Sequence, residues 1–234
     1  MSKGAVSFAL NDRPGLAPQT RDRIMAAARD LGWQPSTRAR ALSRSRAFAV
    51  GLVMRRPPEL LGADPFFPQF LAGVETTLAE RGSALVLQVV DDDDEAEASS
   101  YRRLASQGRV DGVFLNDMLV DDHRFALLAG LGLPAVAVGR PIGPCPFPVV
   151  TVDDRQGVAE TVQHLLELGH RRIAFVGGTK GYVHSTSRRT AWRQTLEAAG
   201  VAPGPELVAD FTGPGGAAAT RTLLELADPP SAIV

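Results

Sequence analysis

The sequence predicts an α/β protein in which a doubly wound domain follows a short, basic, helical head. From residue 47 onward, apolar runs of strand length alternate with segments of helical periodicity, the pattern of a parallel sheet covered by helices. The first run, Ala47-Phe-Ala-Val-Gly-Leu-Val-Met54, is continuous rather than alternating, as a strand buried on both faces requires. Positive charge is concentrated at the other end: residues 1–56 hold 11 Lys/Arg against 3 Asp/Glu, while the remaining 178 hold 14 against 23. The formal net charge of −1 thus conceals a basic arm on an acidic body, the electrostatic footprint of a nucleic-acid-binding module joined to something else.

Taken in order, Ser2 caps a helix over about residues 3–10, with Val6, Ala9 and Leu10 facing inward. Asn11-Asp-Arg-Pro-Gly15 is a turn. Pro18 suits the first position of a second helix, whose apolar face is Ile24, Ala27, Ala28 and Leu31 and which Gly32 stops. After the first strand, a helix over Gln69–Arg81 places Phe70, Leu71, Val74 and Leu78 on one face. Strand Ala84–Val90, helix Glu95–Gln107, strand Val110–Leu115, helix Arg124–Leu131 and strand Ala135–Val138 continue the alternation. Val149–Val152 lies near a crossing point. Helix Gln156–Leu168, strand Arg172–Val176, helix Ser187–Ala199, strand Leu207–Phe211, helix Gly216–Leu226 and the opening of a strand at Ala232–Val234 form a second series.

Composition narrows the function classes. A hydrophobic content of 44% with 22% charged residues is ordinary for a globular chain, and 234 residues make room for about one to two domains. No apolar run approaches the ~18 residues of a membrane span, and the polar, basic stretch Ser2–Arg46 does not resemble a secretory signal. Cys145, between Pro144 and Pro146, is the only cysteine, which excludes an internal disulfide and a cysteine-based zinc site; a cytoplasmic setting is expected. Gly177-Gly-Thr-Lys-Gly181 lacks the order of a Walker loop. No acid–base or nucleophile constellation stands out, so neither an enzyme nor a bound cofactor or metal is expected. The run Asp91–Asp94 with Glu95 reads as the solvated N-terminus of a helix.

Doubly wound sheets bind ligands at the carboxyl ends of their strands. The candidates there are Phe66 and Phe67 after strand one, Asp91 after strand two, and Asn116 and Asp117 after strand three. In the second series they are Asp153, Tyr182, His184, Arg188 and Phe211. Phe66 and Phe67 serve either as core or as a stacking platform.

Four blocks, in this order, resemble the LacI (lactose-repressor) family of bacterial transcription regulators over essentially the whole chain. Ser2-Lys-Gly-Ala-Val-Ser-Phe-Ala-Leu-Asn11 is similar to the family's recognition helix, and Trp33-Gln-Pro-Ser-Thr-Arg-Ala-Arg-Ala-Leu42 to its hinge-helix motif. Thr151-Val-Asp-Asp-Arg-Gln-Gly157 with His164–Ile173 resembles the passage into its second subdomain, and Gly177-Gly178 with Arg188-Arg-Thr-Ala-Trp192 the loop and helix that follow.

The resemblance implies a partial helix-turn-helix head with hinge helix over residues 1–46 and a periplasmic-binding-protein-like, two-subdomain effector and dimerisation module over 47–234. Its subdomains would span about 47–148 and 149–234, the second incomplete. It also implies a scaffold helix ahead of residue 1 and further cleft-lining segments beyond Val234, so that residues 1–234 alone are expected to bind operator weakly or not at all. At the DNA end, Lys3, Gly4 and Phe8 fall at base-facing positions, while Ser2, Ser7 and Asn11 fall at phosphate positions. Without the family match, Ser2 is equally a simple helix cap. Leu42 occupies the place of a minor-groove wedge, flanked by Ala39 and Arg40. At the effector end, Arg188 and Asp153 match cleft residues, a guanidinium fork being suited to planar recognition of hydroxyls or carboxylates. The expected protein is a homodimeric regulator, a repressor by family, of near-palindromic double-stranded operator DNA under a small-molecule effector. A sugar is the expected effector class, with a planar ring left open. The alternative is a solute-binding protein of the same cleft fold without DNA activity, for which the Arg38–Arg46 segment has no use.

Overall fold

The computed structural model describes residues 1–11, 13–33 and 46–234. The chain forms two compact units, Met1–Phe48 and Ala49–Val234.

In the first unit, α1 (Lys3–Leu10) and α2 (Pro18–Asp30) pack together. Ser2 Oγ accepts from Ala5 N at 3.2 Å and caps α1, whose C-terminal Asn11 side chain turns back to donate to Ser7 O at 3.0 Å. Ala9 and Ile24 are the buried contacts, with Val6 and Leu10 half-buried, in keeping with the expected inner face of α1. The expected face of α2 is only partly right. Ile24 is buried and Ala28 half-buried, whereas Ala27 is exposed and Leu31 is 83% exposed. Ala39, Arg40 and Leu42 lie outside the described residues.

The second unit carries two parallel sheets. The first has the order β2-β1-β3-β4-β5, built from β1 (Ala49–Arg55), β2 (Ala84–Val90), β3 (Gly112–Leu115), β4 (Ala135–Val138) and β5 (Val149–Val150). The second has the order β7-β6-β8, from β6 (Ile173–Gly177), β7 (Glu206–Val208) and β8 (Ala232–Ile233). The expected crossing point at 149–152 begins on the edge of the first sheet, where Val149 and Val150 pair with Ala137 and Val138. The connecting helices are α3 (Leu60–Ala63), α4 (Phe66–Glu80), α5 (Asp94–Ser106), α6 (Arg124–Gly130), α7 (Asp154–Glu167), α8 (Val183–Ala198) and α9 (Gly213–Leu224).

β1 is buried on both faces between β2 and β3, which explains its unbroken apolar run. Beside it Leu52, Met54 and Phe67 form one core cluster. Val162, Ile173, Phe175, Trp192 and Leu196 form another, with the Phe175 and Trp192 rings stacked at 5.4 Å. No helix among the described residues is long and apolar enough to cross a membrane.

One helix absent from the sequence expectation and three of the boundaries that depart from it have identifiable causes. α3 has no apolar period to announce it. α4 starts at Phe66 rather than Gln69, since Asp64 Oδ1 accepts from Phe66 N at 3.0 Å and Phe67 is drawn under β1. α8 starts at Val183 rather than Ser187, its first turn pinned by the 2.8 Å bond from Val183 N to Met118 O. β7 ends at Val208 rather than Phe211, because Asp210 Oδ1 accepts from Thr212 N and Oγ1 at 3.0 and 2.6 Å and turns the chain into the α9 cap.

Candidate ligand cleft and helical head

The carboxyl ends of β1, β3 and β6, with the loop after β7, converge on one side chain that the sequence reading did not select. Arg56 directly follows β1 and is only 5% exposed. Its Nε and Nη2 donate to Asp117 Oδ2 and Oδ1 at 2.7 and 2.6 Å, a bidentate fork. Asp64 Oδ2 lies 3.6 Å from Nη1, close enough for attraction and too far for a hydrogen bond. Three rings surround the guanidinium, with centroids at 5.1 Å (Phe67), 5.0 Å (Tyr182) and 4.8 Å (Phe211). Cation–π contacts contribute from about 0.5 kcal/mol at exposed sites to about 2 kcal/mol when desolvated.

Around this centre the expected ligand residues fall into two groups. Asn116 is buried and donates to Asp117 Oδ2 at 3.2 Å. His184 stacks on Tyr182 at 5.4 Å and tilts against Phe211 at the same distance. Phe67 serves both core and cage, while the Phe66 ring is half exposed, edge-on to Phe67 and stacked on Phe70. Phe211 takes a left-handed φ of 64° and Asp117 one of 49°, uncommon for non-glycine residues and concentrated here at the same side chain.

Arg188 sits on the rim, its Nε donating to Asp154 Oδ2 at 2.9 Å and its charge near enough to His184 to disfavour protonation there. Asp153 is apart from the cage: it caps α7 through Gln156 N at 3.2 Å and faces Arg140 at 3.7 Å along an open groove beside α7 and α8. Asp91 is exposed; in the acidic run Asp93 caps α5, and Arg55 pairs with Asp92 and Asp94.

The two sheets are joined directly at this place. Met118–Val120 runs antiparallel to Gly181–Val183, with Val120 N donating to Gly181 O at 3.1 Å and Val183 N to Met118 O at 2.8 Å. Behind that strut lies a buried ionic cluster. Arg124, 3% exposed, donates to Glu97 Oε1 (3.0 Å), to both oxygens of Asp122 (2.7 and 2.6 Å) and to Asp117 O (2.9 Å). Asp122 in turn accepts from Leu119 N at 3.0 Å, so one guanidinium fixes the whole 117–122 turn. Burial alone would raise the Asp122 carboxyl; the hydrogen bonds and charge of Arg124 outweigh it and hold it below the usual carboxylate value.

Burial likewise lowers the His184 imidazole below its ordinary value of 6.5, with Arg188 and Arg56 assisting and Asp117 and Asp154 opposing. A depressed pKa means that the folded state binds fewer protons than the unfolded chain. His184 therefore contributes stability above about pH 6.5 that is lost as pH falls through its folded value. Melting temperature is expected to drop between pH 7.5 and 5.5, and His184→Gln to remove part of that drop; an identical pH profile in the variant would contradict it.

On the helical head, Ser2, Lys3, Gly4, Ser7 and Phe8 are all exposed and Asn11 is half-buried. Together they form the outer face of α1, while its inner face meets α2.

Two parallel α/β layers whose strand ends meet at one buried cluster form the doubly wound arrangement that places ligands at strand ends, here following a basic helical head in the chain. The family model for periplasmic binding proteins and the sugar-binding domain of the LacI family matches residues 47–233, and the chain belongs to the LacI family. The regulator AglR of Rhizobium meliloti (strain 1021) is 34% identical over 239 residues, covering 100% of this chain and 66% of that protein. CelR of Thermobifida fusca is 36% identical, covering 97% and 67%. The chain thus spans about two thirds of the length of these curated relatives. Among solved structures, the CelR–cellobiose complex superposes with a TM-score of 0.70 at 32% identity, over 100% of this chain and 69% of that one. The Lac repressor dimer bound to operator and the anti-inducer ONPF gives 0.82 at 24% identity, over 100% and 69%, a likeness of fold.

Proposed function

We propose that the chain is a DNA-binding transcription regulator, a repressor, whose operator affinity is set by a small-molecule effector held between the two α/β layers. The observation that carries this reading is the aromatic cage around Arg56, assembled from both layers at their strand ends. A ligand there changes the contact between layers, and only a ligand with different affinities for two arrangements shifts their populations. The relatives AglR, CelR and CytR are named as transcriptional regulators, and CelR has been solved with cellobiose. That supports a sugar effector and disfavours a solute-binding protein without DNA activity, which would have no use for the exposed Lys3-Gly4 and Phe8 face.

On this reading, Ser2, Ser7 and Asn11 hold phosphates of a near-palindromic operator, Lys3, Gly4 and Phe8 meet base edges, and Ala39, Arg40 and Leu42 enter the minor groove. Phe66, Phe67, Asn116, Tyr182, His184, Arg188 and Phe211 line the effector cleft, with Asp153 at its margin. The active form is a cytoplasmic homodimer.

Selection of duplexes from a random pool, followed by fluorescence anisotropy across a salt series, tests the DNA half. The reading expects an enriched near-palindrome and a negative slope of log K against log salt, about −0.9 for each phosphate contact on duplex DNA. Lys3→Ala is expected to weaken the enriched site by about 1–3 kcal/mol and to relax preference at its base position. A slope near zero would remove the DNA assignment.

A further inference from the structure

We propose that the turn over residues 117–122 is a strap: it holds the two α/β layers in one arrangement with no ligand present, and Arg124 is the positioning residue that keeps it formed. The inference is independent of what the space between the layers binds, and its test uses neither effector nor DNA.

The strap crosses between the layers on two backbone hydrogen bonds. Val183 N donates to Met118 O at 2.8 Å, and Val120 N donates to Gly181 O at 3.1 Å. The inner bond is enclosed, with Met118 2% and Val183 4% exposed, whereas the outer one reaches the surface, where Val120 is 42% exposed. On the second layer the contact falls at the start of α8. Val183 is the first residue of that helix, so its N–H is a donor that no carbonyl of the helix can take, and Met118 O satisfies it. Trp192 and Leu196 of the same helix lie in the second core cluster, so a hold on its first turn is a hold on that core.

On the first layer the turn is anchored at several points. The Asp117 carboxylate takes the Arg56 fork at the end of β1. Asp117 O accepts from Arg124 Nη2 at 2.9 Å, and Asp122 accepts from Leu119 N at 3.0 Å and from Arg124 Nη2 at 2.6 Å. Arg124 also donates to Glu97 Oε1 on α5 at 3.0 Å, which ties the turn to a further helix. The backbone depends on this hold. Asp117 and Asp121 both adopt a left-handed φ, 49° and 59°, a conformation that persists in non-glycine residues only where the surroundings impose it. A free loop would lose its two inter-layer bonds to water; a turn already fixed loses little further chain entropy in making them. The arrangement of the layers is thereby a property of the chain itself, and the exposed outer bond is where it opens first.

Amide hydrogen exchange, read residue by residue on the ligand-free full chain, tests the inference. In wild type Val120 and Val183 are expected to exchange about a hundredfold or more slower than an unstructured peptide, Val120 being the faster of the two. Val183→Pro removes the inner N–H at a helix start that accepts proline, since Tyr182 ahead of it is already extended at φ −79° and ψ 137°. It is expected to speed exchange at Val120 about tenfold or more, while Val183→Ala, which keeps the N–H, changes it by less than about threefold. Spin labels at Ser106→Cys on α5 and Glu197→Cys on α8, in a Cys145→Ser background, read the layers themselves. One narrow distance distribution is expected, broadened by Val183→Pro. Arg124→Lys keeps a charge beside Glu97 and Asp122 but lacks the fork that also reaches Asp117 O, and keeps the inference testable if the proline variant folds poorly. It is expected to speed Val120 about fivefold more than the amides of β1, whereas a loss of general stability would speed both sets alike. Three results would overturn the inference: Val120 in wild type exchanging like an unstructured peptide, Val183→Pro leaving Val120 and the label distances unchanged, or Arg124→Lys speeding the β1 amides as much as Val120.

Discussion

Arg124→Met is expected to destabilise the α/β unit by about 3–5 kcal/mol, the cost of breaking a buried ion pair from one side. Arg124 is enclosed with Glu97 and Asp122, whose side chains are each 1% exposed, and removal of its charge strands both carboxylates in an apolar interior. Methionine keeps most of the volume, so the loss is electrostatic and not a cavity effect. Urea denaturation at pH 7 reads the difference directly. The exposed pair Arg102–Glu95, with side chains 50% and 74% accessible, provides the contrast: Arg102→Met is expected to cost about 0–1 kcal/mol. A loss below about 1 kcal/mol in Arg124→Met would mean that water enters the cluster and screens it. The pH dependence has a definite sign. Asp122 is held below its ordinary value in the wild type, so its contribution is complete above about pH 3.8 and disappears as pH falls through the lower folded value. In Arg124→Met that hold is gone, Asp122 takes up its proton at higher pH, and the gap between variant and wild type closes towards acid.

The second large effect concerns Gly178. A Cβ at this position would lie 2.0 Å from Phe211 Cζ and 2.1 Å from its Cε1, distances that no packed pair can hold. Gly178→Ala is therefore expected to drive the Phe211 ring away from Arg56, at an overpacking cost of about 1–3 kcal/mol. Because the ring is one of three that hold the guanidinium, effector affinity is expected to fall roughly tenfold or more, the equivalent of losing one such contact. Phe211→Ala in the Gly178→Ala background tests the mechanism, since removal of the clashing ring should restore the lost stability in part while effector binding stays weak. Unchanged effector affinity in Gly178→Ala alone would show that the ring is not part of the cleft.

Most of the secondary structure was legible because its causes are local. Ser2 capping, Pro18 at a helix start and the period of Val6, Ala9 and Leu10 are written within single turns, and the apolar run at β1 reports burial on both faces. Two of the misplaced boundaries are set by contacts distant in sequence, whereas the end of β7 is set by the local Asp210–Thr212 turn. The start of α8 depends on Met118, 65 residues earlier than Val183, and the start of α4 on burial of Phe67 against β1.

The cleft was legible in part for the same reason. Of the residues expected from strand-end logic and family resemblance, Phe67, Asn116, Tyr182, His184 and Phe211 lie around one point, with Arg188 beside them. The same reasoning selected Asp153, whose side chain instead caps a helix and faces Arg140. In sequence Arg56 is one more basic residue at the end of a basic arm, and only the fold separates Arg55, paired with Asp92 and Asp94, from Arg56, set among three aromatic rings. The adjacent pair at the end of a buried strand was the available signal, since successive strand residues face opposite ways.

By itself, then, the sequence determined the class of protein: a basic head, a doubly wound module and the family to which they belong, all carried by local period, charge and motif order. Tertiary structure alone decided which side chains work together. Buried ion pairs and ring contacts depend on distances between residues tens of positions apart, such as Arg56 with Asp117, Tyr182 and Phe211, or Arg124 with Glu97. The low dielectric of the interior strengthens those contacts against the cost of desolvating them, and only the packed chain determines what is buried.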